Sequence, residues 1–338
     1  MNIKRLSKQT STVLSSFSLD TIESLIEPLD VQNPTIIIDQ QLVHIETSHQ
    51  KFPVKKIDFS LSQKQVIDSL KAIAMEEGFD AYIVIGDQKV INGMKLFLKD
   101  FSPTASFQPQ LVIIPSSFIP NNCSNGIVST IEENQMTYYN LDSLIPSMTI
   151  IDESIIGQLS VEKKSLDMFA LYCSLIDVLA LSEVNSYQFH LCLEAFRLCS
   201  NSATSAAHSQ REHESRQEVA LASHLLSLAR GQGRIGLLDI ISSTISAVGN
   251  LNYSLVTTII FPYMFSTLSR GNEETFKALY GYFNEEPYSQ SKCTRWIFTT
   301  LNQLLTPIEQ NLPNRLYDLH QSSSGEKALS ISSLELIA

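Results

Sequence analysis

Between Asp80 and Lys95 the chain reads DAYIVIGDQKVINGMK. The apolar run Tyr82–Ile85 is too short for a helix and ends at a glycine, as expected of a strand buried on both faces. After Gly86 the period changes, and Val90, Ile91, Met94 and Phe97 fall on one helical face. Strand, turn and helix in this order make half of a βαβ unit, and similar segments flank it. Upstream, the breaker Asn33-Pro34 precedes the strand-like TIIID (35–39). The segment QKQVIDSLKAIAMEE (63–77) then sets Val66, Leu70, Ile73 and Ala74 on one helical face before a C-cap at Gly78. Downstream, LVII (111–114) is closed by Pro115, and further strands are expected at 127–131 and 149–151. The pattern predicts an α/β domain with a parallel, Rossmann-like sheet over residues 1–154.

Past Glu153 the strand signals fade. Segments 166–181, 187–199, 216–229, 237–248, 255–268, 276–283 and 293–305 carry helical periodicity. They predict an all-helical domain over 155–320, with a polar connection at 201–215 and a flexible tail at 321–338. A length of 338 residues suits two domains. No internal repeat of 20–50 residues is visible.

Composition narrows the function classes. Hydrophobic residues make up 43% of the chain, yet no window approaches the ~20 apolar residues of a membrane span. A net charge of −11 leaves no large basic surface for phosphates, so neither nucleic acid nor membrane is an expected partner. The N-terminal stretch lacks the apolar core of a secretory signal, so the expected location is cytoplasmic. Five cysteines (Cys123, Cys173, Cys192, Cys199, Cys293) show no CxxC spacing and read as buried free thiols. The chain has 12 glycines, where average usage of ~7% would give roughly 24.

Ligands of a parallel α/β sheet bind at the carboxyl ends of its strands. Here those ends carry Asp39, the turn Gly86-Asp87-Gln88-Lys89, and Ser116-Ser117 after Pro115. Asp39 suits a ribose hydroxyl or a simple turn. A phosphate cradle needs backbone without side chains, and Gly86 is followed by three bulky residues. His208 and His213 are five apart and do not share a helical face, which favours a solvated polar turn over a metal site. His190 and His224 stand alone on their helices.

The ordered series DAYIVIG-DQK-VINGMK, QLVIIPSS, LIPSMTIIDESIIGQLSVEKK, QFHLCLEAFRLC, SRQEVALASHLLSLARG and TTIIFPYMF resembles the iron-containing alcohol dehydrogenase and glycerol dehydrogenase superfamily. The resemblance covers most of the chain and implies the two-domain, dehydroquinate synthase-like fold. It also implies dinucleotide positions at Asp39, Gly86, Lys95, Ser116 and Ser117. Where the family has a row of small residues, this chain has Asp87, Gln88 and Lys89, and Asn92 replaces the motif's acid. In the second phosphate turn, Phe118-Ile119 are expected to crowd a pyrophosphate, and Pro120 has no N–H to offer.

Family members hold a divalent ion with an Asp and a His four residues apart on one helix, and two His from later helices. Counted from Asp152, the first two positions are Ala170 and Ser174; counted back from Pro262, the others are Asp239 and Tyr253. A slipped register offers Asp167, but its partner is then Leu171. The resemblance therefore implies a family member without a divalent metal and without metal-dependent dehydrogenase activity: a pseudoenzyme acting as a binding or partner protein. Its partner would be an active relative, a second copy in a homodimer, or a small molecule in the interdomain cleft. The alternative is an active NAD(P)-dependent oxidoreductase on a small alcohol or aldehyde, with Asp239 and Tyr253 as catalytic residues. No Lys or Arg is evidently placed to assist Tyr253.

Overall fold

Strand β4 (Ala81–Gly86) is the centre from which the α/β half is built. Its side chains alternate between two apolar layers: Tyr82 and Val84 pack on one face, Ile83 and Ile85 on the other. The computed structural model describes residues 10–305 apart from 17, 43–44, 46–50, 102–108, 120–121, 133–134, 182–183, 209–212, 233–234 and 250. Pro120 and the segment expected to form a tail lie outside the described residues.

Six strands form one parallel sheet in the order β1-β8-β5-β4-β2-β3. They are β1 (Ser11–Ser15), β2 (Pro34–Asp39), β3 (Val54–Ile57), β4, β5 (Gln110–Pro115) and β8 (Met148–Asp152). The helices α2 (Gln63–Glu77) and α3 (Gln88–Phe101) cover one face with Val66, Leu70, Val90, Met94 and Phe97. The short α1 (Ile22–Ile26) supplies Ile22 and Ile26 to the other. Helix α2 starts on a capping box, in which Ser62 and Gln65 satisfy each other's backbone, and stops at Gly78 with φ 58°.

The strand at 127–131 is present but does not join this sheet. β6 (Ile127–Glu132) pairs antiparallel with β7 (Gln135–Asn140) as a separate ribbon. The physical reason is the sequence of the ribbon itself: IVSTIE and QMTYYN interleave polar residues, which suits a half-exposed pair, whereas a central parallel strand needs a continuous apolar run.

After β8 the described chain is helical: α4 (Glu153–Gly157), α5 (Val161–Leu179), α6 (Ser186–His208), α7 (His213–Gly231), α8 (Leu237–Gly249), α9 (Tyr253–Arg270), α10 (Glu273–Phe283) and α11 (Gln290–Leu305). The polar connection expected at 201–215 is a correction. α6 continues through NSATSAAH to His208, and α7 begins at His213, because small Ala and Ser side chains extend a helix without apolar periodicity. α5 is the central rod, buried along most of its length. Around it Phe169, Tyr172, Phe196, Phe261 and Phe265 form one apolar core. No helix among the described residues is long and apolar enough to cross a membrane. All five cysteines are buried and free.

Candidate functional site

The carboxyl end of β4 turns directly into α3, and the turn is tight. A Cβ on Gly86 would lie 2.3 Å from the Cβ of Val90, so glycine is required for packing whether or not a phosphate binds. The next residue fills the place a phosphate would take. Asp87 Oδ1 accepts from the backbone N–H of Lys89 at 2.9 Å and of Val90 at 3.3 Å. These are the N–H groups that a helix N-terminus offers to an anion, and a carboxylate already holds them.

The neighbouring strand end is acidic too. Asp39 Oδ1 closes its own turn by accepting from Gln41 N–H at 2.9 Å. Burial raises the Asp39 pKa, and Asp87 and Asp58 push it further the same way. A negative group on a ligand would meet this field. The fold places Asp39 and Gly86 on adjacent strands, and the Gln41 hydrogen bond and Lys89 offset part of the acidic field.

Beyond β5, Ser116 and Ser117 are buried, and Ser116 N–H is bonded to the carbonyl of Gly86 at 2.9 Å. Phe118 corrects the sequence expectation. Its ring is fully buried in the core of the helical half, so its bulk does not obstruct the turn. The polar side chains of α3 likewise hold structure together. Lys95 is fully buried and donates to the backbone carbonyls of Asn122, Asn125 and Ile127; burial pushes its pKa down to about 7. Asn92 Nδ2 donates to Ser129 O at 2.7 Å, and its Oδ1 accepts from Ser129 N–H at 2.8 Å.

A second cluster forms where α5, α7, α8 and α9 meet. Tyr253, the first residue of α9, donates to Asp239 Oδ1 at 2.7 Å, and Ser174 Oγ lies 3.4 Å from the Tyr253 hydroxyl. Three of the four positions counted from the sequence are thus brought together. The fourth, Ala170, lies one turn before Ser174 on α5 and is fully buried.

At the centre of this cluster is a residue the sequence reading did not single out. Arg230, near the end of α7 and 1% exposed, donates to Asp239 Oδ2 in a buried salt bridge. Burial works against its charge, but Asp239, Tyr253, Tyr138 and Asp177 more than compensate and hold it firmly cationic. Asp177 completes the arrangement. Its two oxygens accept from the backbone N–H groups of Leu238 (3.1 Å) and Asp239 (3.0 Å) at the start of α8. A Cβ on Gly236 would lie 2.0 Å from the Asp177 carboxylate, so only glycine admits it. Burial lifts the Asp177 pKa to about 7. The same cause raises Tyr253 well above the usual phenol range, with Asp239 adding to it. The signal that could have found Arg230 and Asp177 is a charge set inside an apolar helical run, LLSLARG and SLIDVL.

This donor set does not fit a divalent metal. It offers the Asp239 carboxylate already joined to a guanidinium, the Asp177 carboxylate with both oxygens accepting backbone N–H groups, one protonated phenol and one hydroxyl, where a transition ion wants several deprotonated N, O or S donors. Among the described residues no three His, Cys, Asp or Glu are grouped to hold a metal. Among the described residues the histidines with described side chains are engaged elsewhere. His224 is buried between Thr12 (2.9 Å) and Ser124 (2.6 Å), His213 contacts Glu153, and His190 contacts the Ser186 carbonyl. The side chain of His208 lies outside the described residues.

Comparison with solved structures defines the class of fold. The chain superposes on an iron-containing alcohol dehydrogenase from Corynebacterium glutamicum with a TM-score of 0.77 at 16% identity, covering 98% of this chain and 88% of that one. An alcohol dehydrogenase from Oenococcus oeni gives 0.78 at 13% identity, over 95% and 90% of the two chains. A maleylacetate reductase from Rhizobium sp. strain MTP-10005 gives 0.73 at 12%, over 97% and 89%. No protein-family profile matches the sequence, and a search of curated proteins finds no significant match. The protein has the two-part fold of the iron-containing alcohol dehydrogenases.

Proposed function

We propose that this protein uses the iron-containing alcohol dehydrogenase fold as a binding or partner protein, without metal-dependent dehydrogenase chemistry. The observation that carries the reading is the buried Arg230–Asp239 salt bridge, hydrogen-bonded onward to Tyr253 and within reach of Ser174. Asp239, Tyr253 and Ser174 correspond, by the resemblance of the sequence, to three of the family's four metal-ligand positions. A fixed cation on the protein's own chain occupies the anionic group that would otherwise attract an ion. Independently, Asp87 caps the helix that would receive a pyrophosphate. Two separate sites lean the same way, and the Asp87, Asn92, Asp239 and Tyr253 side chains each make an internal hydrogen bond. Such repair is the pattern of a scaffold kept for its shape. Its partner would be an active relative, a second copy of the chain, or a small molecule in the cleft.

The second reading is a metal-independent, NAD(P)-dependent oxidoreductase on a small alcohol or aldehyde. One observation favours it: Arg230 supplies a positive charge beside Tyr253, the proton-bearing group such a reaction needs. A thermal-unfolding titration with NAD, NADH, NADP and NADPH separates the two. Any ligand that binds the folded state raises the melting temperature by mass action. The binding-protein reading expects no shift at millimolar dinucleotide; a saturable shift supports the oxidoreductase.

A further inference from the structure

Helix α8 turns its polar side inward. Its buried residues are Leu238, Asp239, Ser242 and Ser243, and Arg230 holds Asp239 there. The opposite stripe, Leu237, Ile240, Thr244 and Val248, follows helical spacing and occupies one face. Leu237 is 49% exposed and Val248 50%. Leu237, Ile240 and Val248 belong to none of the three apolar cores, whereas Ile241 and Ile245 beside them reach the core of the helical half. The Thr244 hydroxyl is satisfied within the helix, donating to Ile240 O at 2.7 Å. A surface helix ordinarily faces its apolar stripe inward; here the outward stripe adds nothing to the packing of the single chain.

The stripe also lies in a stretch without charge. From Ile240 to Ser269 there is no Asp, Glu, Lys or Arg, in a chain of net charge −11. Helix α9 continues that stretch, packs against α8 and leaves Tyr263 75% exposed. Acidic copies of one chain repel each other, and an uncharged face is where they can approach. A basic partner drawn to the acidic chain would find no carboxylate on this stripe to pair with. An apolar stripe is complementary to itself across a two-fold axis.

We propose that the outer face of α8 is the contact through which two copies of this chain pair, stripe against stripe. One helix of 13 residues is a small contact, so the dimer is weak and depends on concentration. The inference names the second copy among the partners of the binding-protein reading and rests on that reading for its meaning. The contact itself lies on the side of α8 away from Asp239 and needs neither metal nor dinucleotide.

The test is analytical ultracentrifugation of the full chain from micromolar to several hundred micromolar. The weight-average mass rises from one chain toward two, and added sodium chloride strengthens the association by screening the repulsion between acidic copies. Leu237→Glu and Val248→Glu each place a charge on the stripe and on its mate, and each holds the mass at one chain throughout. Met75→Glu, at an exposed position of α2, leaves the rise intact. Circular dichroism at micromolar concentration, where the parent is monomeric too, separates loss of pairing from loss of fold; if one variant does not fold, the other decides. A chain that stays monomeric, its stripe covered by its own residues 306–338 or by another protein, overturns the proposal. So does a dimer that persists in a folded variant, or one that salt dissociates. Sedimentation does not read dinucleotide, so a thermal shift with NAD would sink the binding-protein reading and leave the contact standing, while a monomer would do the reverse.

Discussion

Arg230 and Asp239, nine residues apart and both buried, are joined by a hydrogen-bonded salt bridge between the end of α7 and the start of α8. Removing one member of such a pair leaves the other charge buried without compensation. Arg230→Met should therefore cost about 3–5 kcal/mol, read as a fall in the urea midpoint with the slope unchanged. Adding Asp239→Asn to that variant should recover part of the loss. A cost below about 1 kcal/mol for Arg230→Met would show that the pair is not a buried charge centre.

His224 gives the protein an acid-sensitive element. Burial lowers its pKa from 6.5 to about 4, so the folded state favours the neutral ring that bridges Thr12 and Ser124. Its contribution is whole above pH 6.5 and is lost as pH falls toward 4. Between pH 7 and pH 5 the loss is about 2 kcal/mol. Asp177, whose pKa is raised, acts in the opposite sense over much of that window. The measurement is therefore the difference in unfolding free energy between the parent and His224→Gln at the two pH values. A difference that does not change with pH would refute the assignment.

Asp87→Ala should remove the cap of α3 and cost about 1 kcal/mol. It should also lower the pKa of Asp39, because Asp87 is one of the like charges that raise it. An NMR pH titration of the Asp39 carboxyl carbon checks the second effect. An unmoved Asp39 would mean the two carboxylates do not share a field.

Gly86→Ala should cost about 2 kcal/mol or more, since the added methyl would overlap Val90 and force the strand-to-helix turn to shift. Chemical denaturation measures it, and a neutral substitution would mean the turn is looser than the packing implies.

The sheet was legible where burial is two-sided. Tyr82–Ile85 and Leu111–Ile114 are continuous apolar runs, and only a parallel strand covered on both faces demands that. β1 (STVLS) and β3 (VKKI) escaped notice because edge strands are short and keep polar side chains. The meeting of Ser174, Asp239 and Tyr253 was legible only through the resemblance, whose ligand positions fall on them when counted from Asp152 and Pro262. Arg230 was not, because periodicity tells which face a residue occupies but not which other helix that face meets. The same limit hid Asp177 beneath α8.

The most direct measurement is the metal content of the purified chain after dialysis against excess zinc or ferrous ion followed by buffer alone. With Arg230 already neutralising Asp239, the protein should retain far less than one ion per chain, and Asp239→Asn should change nothing. One tightly held ion per chain, lost in Asp239→Asn, would contradict the account.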